Sequence, residues 1–242
     1  VNQIDKLGDF VPGSTTSNSN EIKLSSDLNW INDSDYLGIE LSEILKDVKN
    51  SARPKNNHYV DFVIGIGNPN FKNEKTYPDL SYNDDGIKLI SLFRYWNMIQ
   101  YYFPYRNLID ENWDEVLKIF IPKIILADDE SSYKLTLLEL IGKISDTHAN
   151  IWSKEETIIR FWGLKAAPLD VKILNNQVVV TKIYDELDEG VDIKPGDIIT
   201  HINGEVSETL IDEKIRYCPA SNLPTKYRDV SNKLLRTNDD FI

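Results

Sequence analysis

Gly190-Val-Asp-Ile-Lys-Pro-Gly-Asp-Ile-Ile-Thr-His-Ile-Asn-Gly-Glu205 decides how this chain is read. Lys194-Pro-Gly-Asp197 puts proline and glycine at the two central positions of a type II turn, which asks for a fixed φ and then a positive one. Ile198, Ile199 and Ile202 predict a short buried strand, and Asn203-Gly204 predicts a second tight turn. Downstream, Thr209 to Tyr217 reads as a helix with Leu210, Ile211 and Ile215 available for packing. Upstream, Pro168 to Leu174 alternates, with Leu169, Val171 and Ile173 on one face. Asn175-Asn176 supplies the positive φ values of a hairpin, and Gln177 to Tyr184 returns as the partner strand.

Further back the period changes from two to 3.6. Leu89, Phe93, Trp96, Ile99 and Phe103 form one stripe, widened by Leu92, Tyr95 and Tyr102, and Pro104 stops the helix. Asp110 is the expected N-cap of a second helix, with Trp113, Val116, Leu117, Phe120, Ile121 and Ile124 inward and Pro122 predicting a kink or break. Asp128 to Ser132 opens a third, with Tyr133, Leu137, Leu140, Ile141 and Ile144 inward. Ahead of these lie a short amphipathic helix from Leu37 to Val48 and a strand from Tyr59 to Ile66 that turns at Gly67 to Asn70. Gly13 to Asn20 is a polar linker by composition. Gly65-x-Gly67 is not a dinucleotide loop, because no third glycine follows and Pro69 interrupts the start of a helix. The expected fold class is α+β: an irregular and β segment at 1–80, a three-helix bundle domain at 81–162, and a small β domain at 163–242.

The string Lys-Pro-Gly-Asp-Ile-Ile-x-x-Ile-Asn-Gly, in the order strand, hairpin, strand, turn, helix, resembles a PDZ domain of the bacterial protease type, a partly open β-barrel. Phe93-Arg-Tyr-Trp-Asn-Met-Ile-Gln-Tyr-Tyr-Phe-Pro-Tyr105, Asp114 and Ser145-Asp-Thr-His148 resemble the N-terminal helical region of S41-family serine peptidases, which include the carboxyl-terminal processing proteases and the tricorn core protease. Tyr59 to Tyr82 resembles the lead-in of exported bacterial members, so the resemblance covers roughly residues 59–240. It implies an exported serine endopeptidase of the periplasm or cell envelope of a Gram-negative bacterium. It also implies that a later α/β catalytic domain carries the nucleophilic serine. No Gly-x-Ser-x-Gly elbow occurs here, and the last PDZ strand is expected beyond Ile242. The isolated chain is therefore expected to be inactive. The rival expectation is a non-catalytic scaffold that binds peptides through the same module.

Composition removes other classes. The 242 residues carry a net charge of −12, which opposes a phosphate backbone or an anionic membrane surface. No apolar run reaches the roughly 18–20 residues that cross a bilayer. One cysteine, Cys218, excludes an internal disulfide framework. His58, His148 and His201 lie far apart and no His-Glu-x-x-His occurs, so neither metal nor cofactor is expected. The expected partners are a peptide or unfolded protein and the later catalytic domain; the oligomeric state stays open.

Two candidate sites follow. At the end of the third helix, Asp146, Thr147 and His148 stand together. The family resemblance implies His148 as general base toward a serine in the later domain, with Thr147 in place of the usual serine neighbour. An imidazole accepts and returns a proton near neutral pH, and Thr147 or a carboxylate would hold its tautomer. The alternative is that His148 caps the helix. In the PDZ-like part an extended peptide is expected to add alongside Pro168 to Leu174, facing the helix at 209–217. Leu169, Val171, Ile173 and Leu210 would contact it, and the backbone at Gly163 and Leu164 would receive a terminal carboxylate. The alternative there is a groove blocked by its own chain.

Overall fold

A computed structural model describes residues 4, 26–52, 57–79, 81–152, 155–184 and 191–240. The Gly13 to Asn20 linker and the Gly190 that opens the turn-rich string lie outside them. Two compact units emerge, Val1–Asp79 with Met98–Asn107, and Leu80–Asn97 with Leu108–Ile242.

In the first unit α1 (Ser34–Leu37) and α2 (Ile39–Asn50) follow one another, and the Asp33 carboxylate caps the former by accepting from the Tyr36 amide. The fully buried Ser42 hydroxyl donates to the Ile31 carbonyl at 2.6 Å. β1 (Val60–Phe62) and β2 (Pro69–Phe71) form an antiparallel hairpin. The strand expected to run to Ile66 stops at Phe62, because Gly65 and Gly67 both take positive φ and the Val63 amide already donates across the turn to Asn68.

The second unit holds most of α3 (Asp85–Tyr102), together with α4 (Trp113–Ile125), α5 (Glu130–Gly142) and α6 (Glu156–Trp162). Asn112, not Asp110, caps α4: its side chain accepts from the amides of Asp114 and Glu115. Pro122 lies inside α4 without ending it, since only one further turn follows. Asp129 and Ser132 close a reciprocal capping box on α5. The α3 stripe is rotated from its expected line: Leu92 is fully buried while Phe93 is 39% exposed. Lys88 explains the rotation, for it is buried and its ammonium donates to Asp85 and to the Ile125 carbonyl at the end of α4. Trp96 and Trp113 join the same two helices reciprocally, each indole N–H donating to the other residue's carbonyl at 2.8 and 3.0 Å.

Beyond α6 come β3 (Lys165–Ala166), β4 (Leu169–Leu174), β5 (Gln177–Ile183), β6 (Ile198–Ile199), β7 (His201–Ile202) and β8 (Glu205–Val206). They lead into α7 (Ser207–Lys214), α8 (Leu223–Leu234) and β9 (Arg236–Thr237). β4, β5 and β6 make one antiparallel sheet, β7 pairs with β8, and β3 pairs with β9. Asn175 and Asn176 at φ 49° and 62°, Gly196 at 100°, and Asn203-Gly204 at 50° and 81° form the turns their chemistry requires. Val171, Ile173, Val178, Val180, Ile202, Ile211, Val230 and Leu234 build one core. The fold is thus mixed helix and sheet, with small sheets and no closed barrel among the described residues.

Candidate functional site

The segment after α5 is held by its backbone. Ser145 takes φ 51°, which turns the chain out of the helix. The Asp146 carboxylate accepts the His148 amide at 2.8 Å, and the Ala149 amide donates to the Asp146 carbonyl. The Trp152 indole donates to the His148 carbonyl at 2.9 Å. Thr147 is clasped from the far end of the sequence: its amide donates to the Ser221 hydroxyl at 3.1 Å, the Ser221 amide donates to the Thr147 hydroxyl at 3.0 Å, and the two hydroxyls lie 2.9 Å apart. Ser221 stands beside Asn222, whose side chain caps α8.

Fixed backbone and free ring meet at His148, whose side chain is 97% exposed while that of Asp146 is 30% exposed. The imidazole Nδ1 lies 3.3 Å from the carboxylate Oδ1. Asp146 also faces inward: burial first, and then its negative charge, hold the Tyr95 phenol well above its ordinary range. The Tyr95 hydroxyl has no hydrogen-bond partner among the described residues. The group beside the His148 ring is therefore Asp146, and the Thr147 hydroxyl expected there is engaged by Ser221 instead. His148 is also no cap of α5, which ends at Gly142, six residues earlier.

The expected peptide edge is already met by the chain itself. Arg236 donates to the carbonyls of Gly163 and Leu164, and the Leu164 amide donates to Asn238. Lys165 and Ala166 pair with Thr237 and Arg236, the Ala167 amide donates to the Leu235 carbonyl, and the Ile173 amide donates to the Ser231 hydroxyl on α8. Val171 and Ile173 point into the core, each 6% exposed, whereas Leu169 and Leu210 are half-buried at its margin. Gly163, at φ 109°, sits where the passage is tightest: a Cβ there would lie 2.3 Å from the Thr237 nitrogen. α8 and β9 lie outside the elements expected from the sequence, although Asn222 followed by Pro224 is the N-terminal signature of such a helix.

An open cleft of about 590 Å³ lies among Glu130, Glu155, Glu156, Arg160 and Phe161. Lys134 bridges Glu130 and Glu155 beside it, and its hydrogen bond holds the Glu155 carboxyl below the ordinary range. Among the described residues no three His, Cys, Asp or Glu side chains converge on a metal position. No helix among them is long and apolar enough to cross a membrane. No protein-family model matches this chain, and a comparison with curated proteins found no match.

Proposed function

We propose that this chain is the front part of an exported S41-like serine peptidase whose nucleophile lies in a later domain, in which a PDZ-like module captures peptide and His148 serves as general base. The observation that supports this most is the order within the second unit. Hairpin β4–β5, the Lys194–Asp197 turn, β6 to β8 and α7 follow one another on a single core, behind a helical segment that presents an oriented, exposed histidine. In the intact enzyme the imidazole takes the proton of a serine hydroxyl as its oxygen bonds to the substrate carbonyl carbon. It then delivers that proton to the amine nitrogen as the C–N bond breaks. Peptide capture at β4 requires α8 to move aside, because Ser231 holds the Ile173 amide, and a terminal carboxylate at Gly163 and Leu164 requires β9 to leave β3.

The test uses the intact gene product with an unfolded protein substrate and a fluorophosphonate probe. Hydrolysis and labelling are expected, and His148→Ala should lower turnover about 10²-fold or more while the fold is kept. A loss below tenfold places the base elsewhere. Absence of both hydrolysis and labelling favours the scaffold reading, in which the same module binds peptide without cleavage.

A further inference from the structure

His148 and Asp146 are two residues apart in a turn that the Ala149 amide closes on the Asp146 carbonyl, and within that turn the carboxylate meets both the backbone amide and the ring Nδ1 of the histidine. The amide is held at 2.8 Å and the ring Nδ1 at 3.3 Å, both by the same oxygen, Oδ1. The backbone on either side is fixed independently, by Ser221 at Thr147 and by Trp152 at the His148 carbonyl. The carboxylate itself is largely shielded while the imidazole stands in solvent. One ring nitrogen thus faces an acceptor and the other faces open space.

We propose that Asp146 is the positioning residue of His148: it accepts the Nδ1–H and so leaves the Nε2 lone pair directed outward. An ionised carboxylate only accepts, so the nitrogen beside it must carry the proton whenever the ring is neutral. That fixes the tautomer a general base needs and balances the imidazolium once a proton has been taken up. The inference rests on the reading of His148 as base, and it replaces the Thr147 hydroxyl as the orienting group.

The experiment reads ring nitrogens directly and needs no turnover. Uniformly ¹⁵N-labelled chain 1–242 is studied by long-range ¹H–¹⁵N correlation at a pH well above imidazole titration, with His148→Gln assigning the ring among the three histidines. The wild-type ring is expected in the Nδ1–H form. Asp146→Ala should return it to the Nε2–H form that free imidazole side chains prefer. A wild-type ring in the Nε2–H form overturns the proposal without any variant, as does an Nδ1–H form that survives Asp146→Ala. Should the ring be Nδ1–H and yet His148→Ala leave turnover intact, the positioning stands and the base reading falls.

Discussion

At the scale of single residues, the site depends on a pair the local sequence does not announce. Asp146, Thr147 and His148 are visible as a cluster of chemistry at a helix end, but Ser221, which holds Thr147, lies 74 positions away. Nothing in a serine before an Asn-Leu-Pro helix start identifies it as a partner for a threonine in another element. The same limit applies to Lys88, where a lysine on an apolar stripe is legible only once the carbonyl it meets is known. Each hydrogen bond of the clasp is worth about 0.5–1.5 kcal/mol, toward the lower end at an exposed position. Thr147→Val and Ser221→Ala are each expected to destabilise the chain by that order in chemical denaturation. Together they should cost less than the sum, since either one alone breaks the shared contact. Strict additivity would show that the clasp carries no coupling.

At the scale of elements, turns are legible in the sequence and coverage of the strands is not. Asn175-Asn176, Lys194 to Asp197 and Asn203-Gly204 fold as their chemistry dictates because each is decided by backbone sterics within four residues. α6 has seven residues, too few for a 3.6-residue period to stand out after an acidic stretch. The closing of β4 by α8 and of β3 by β9 is a tertiary choice, and a strand's alternation says which face is buried but not what lies along its edge. Gly163 is where that choice becomes specific. Gly163→Ala introduces a Cβ 2.3 Å from the Thr237 nitrogen at a φ of 109°, a strain of about 1–3 kcal/mol before any clash is relieved. The expected outcome is local release of β9, seen as faster hydrogen exchange at Leu164, Ala167 and Thr237 with β4–β5 protection unchanged. Unaltered exchange at those amides would mean the backbone absorbs the methyl elsewhere.

At the scale of the second unit, two buried groups turn its integrity into a chemical signal. Cys218 is 1% exposed, and burial raises its thiol despite the Lys233 ammonium nearby, so the reactive thiolate is suppressed twice over. Tyr95 is raised from the ordinary 10.0 of a phenol by burial and then by Asp146. Below that value both native and unfolded chains keep the proton, and stability is unaffected. Above it the unfolded chain ionises first, so native stability falls as pH rises and continues to fall until the native phenol also ionises. Alkylation of Cys218 by iodoacetamide is therefore expected to be negligible near neutral pH and to accelerate above pH 10.0, with Tyr95→Phe blunting the acceleration. Rapid alkylation of the native chain at neutral pH would contradict the buried placement.

The clasp between Thr147 and Ser221 also orders events in time. The capping box of α5 joins neighbours in sequence, and the Trp96–Trp113 bridge closes a separation of only 17 residues. The clasp must close a loop of 74, whose entropy is lost before any bond rewards it. Helices and the Asp146–His148 turn therefore form early, whereas Thr147 meets Ser221 only after the sheet and α8 have come home. A partly folded chain can look complete in its helices and still lack the clasp at Thr147.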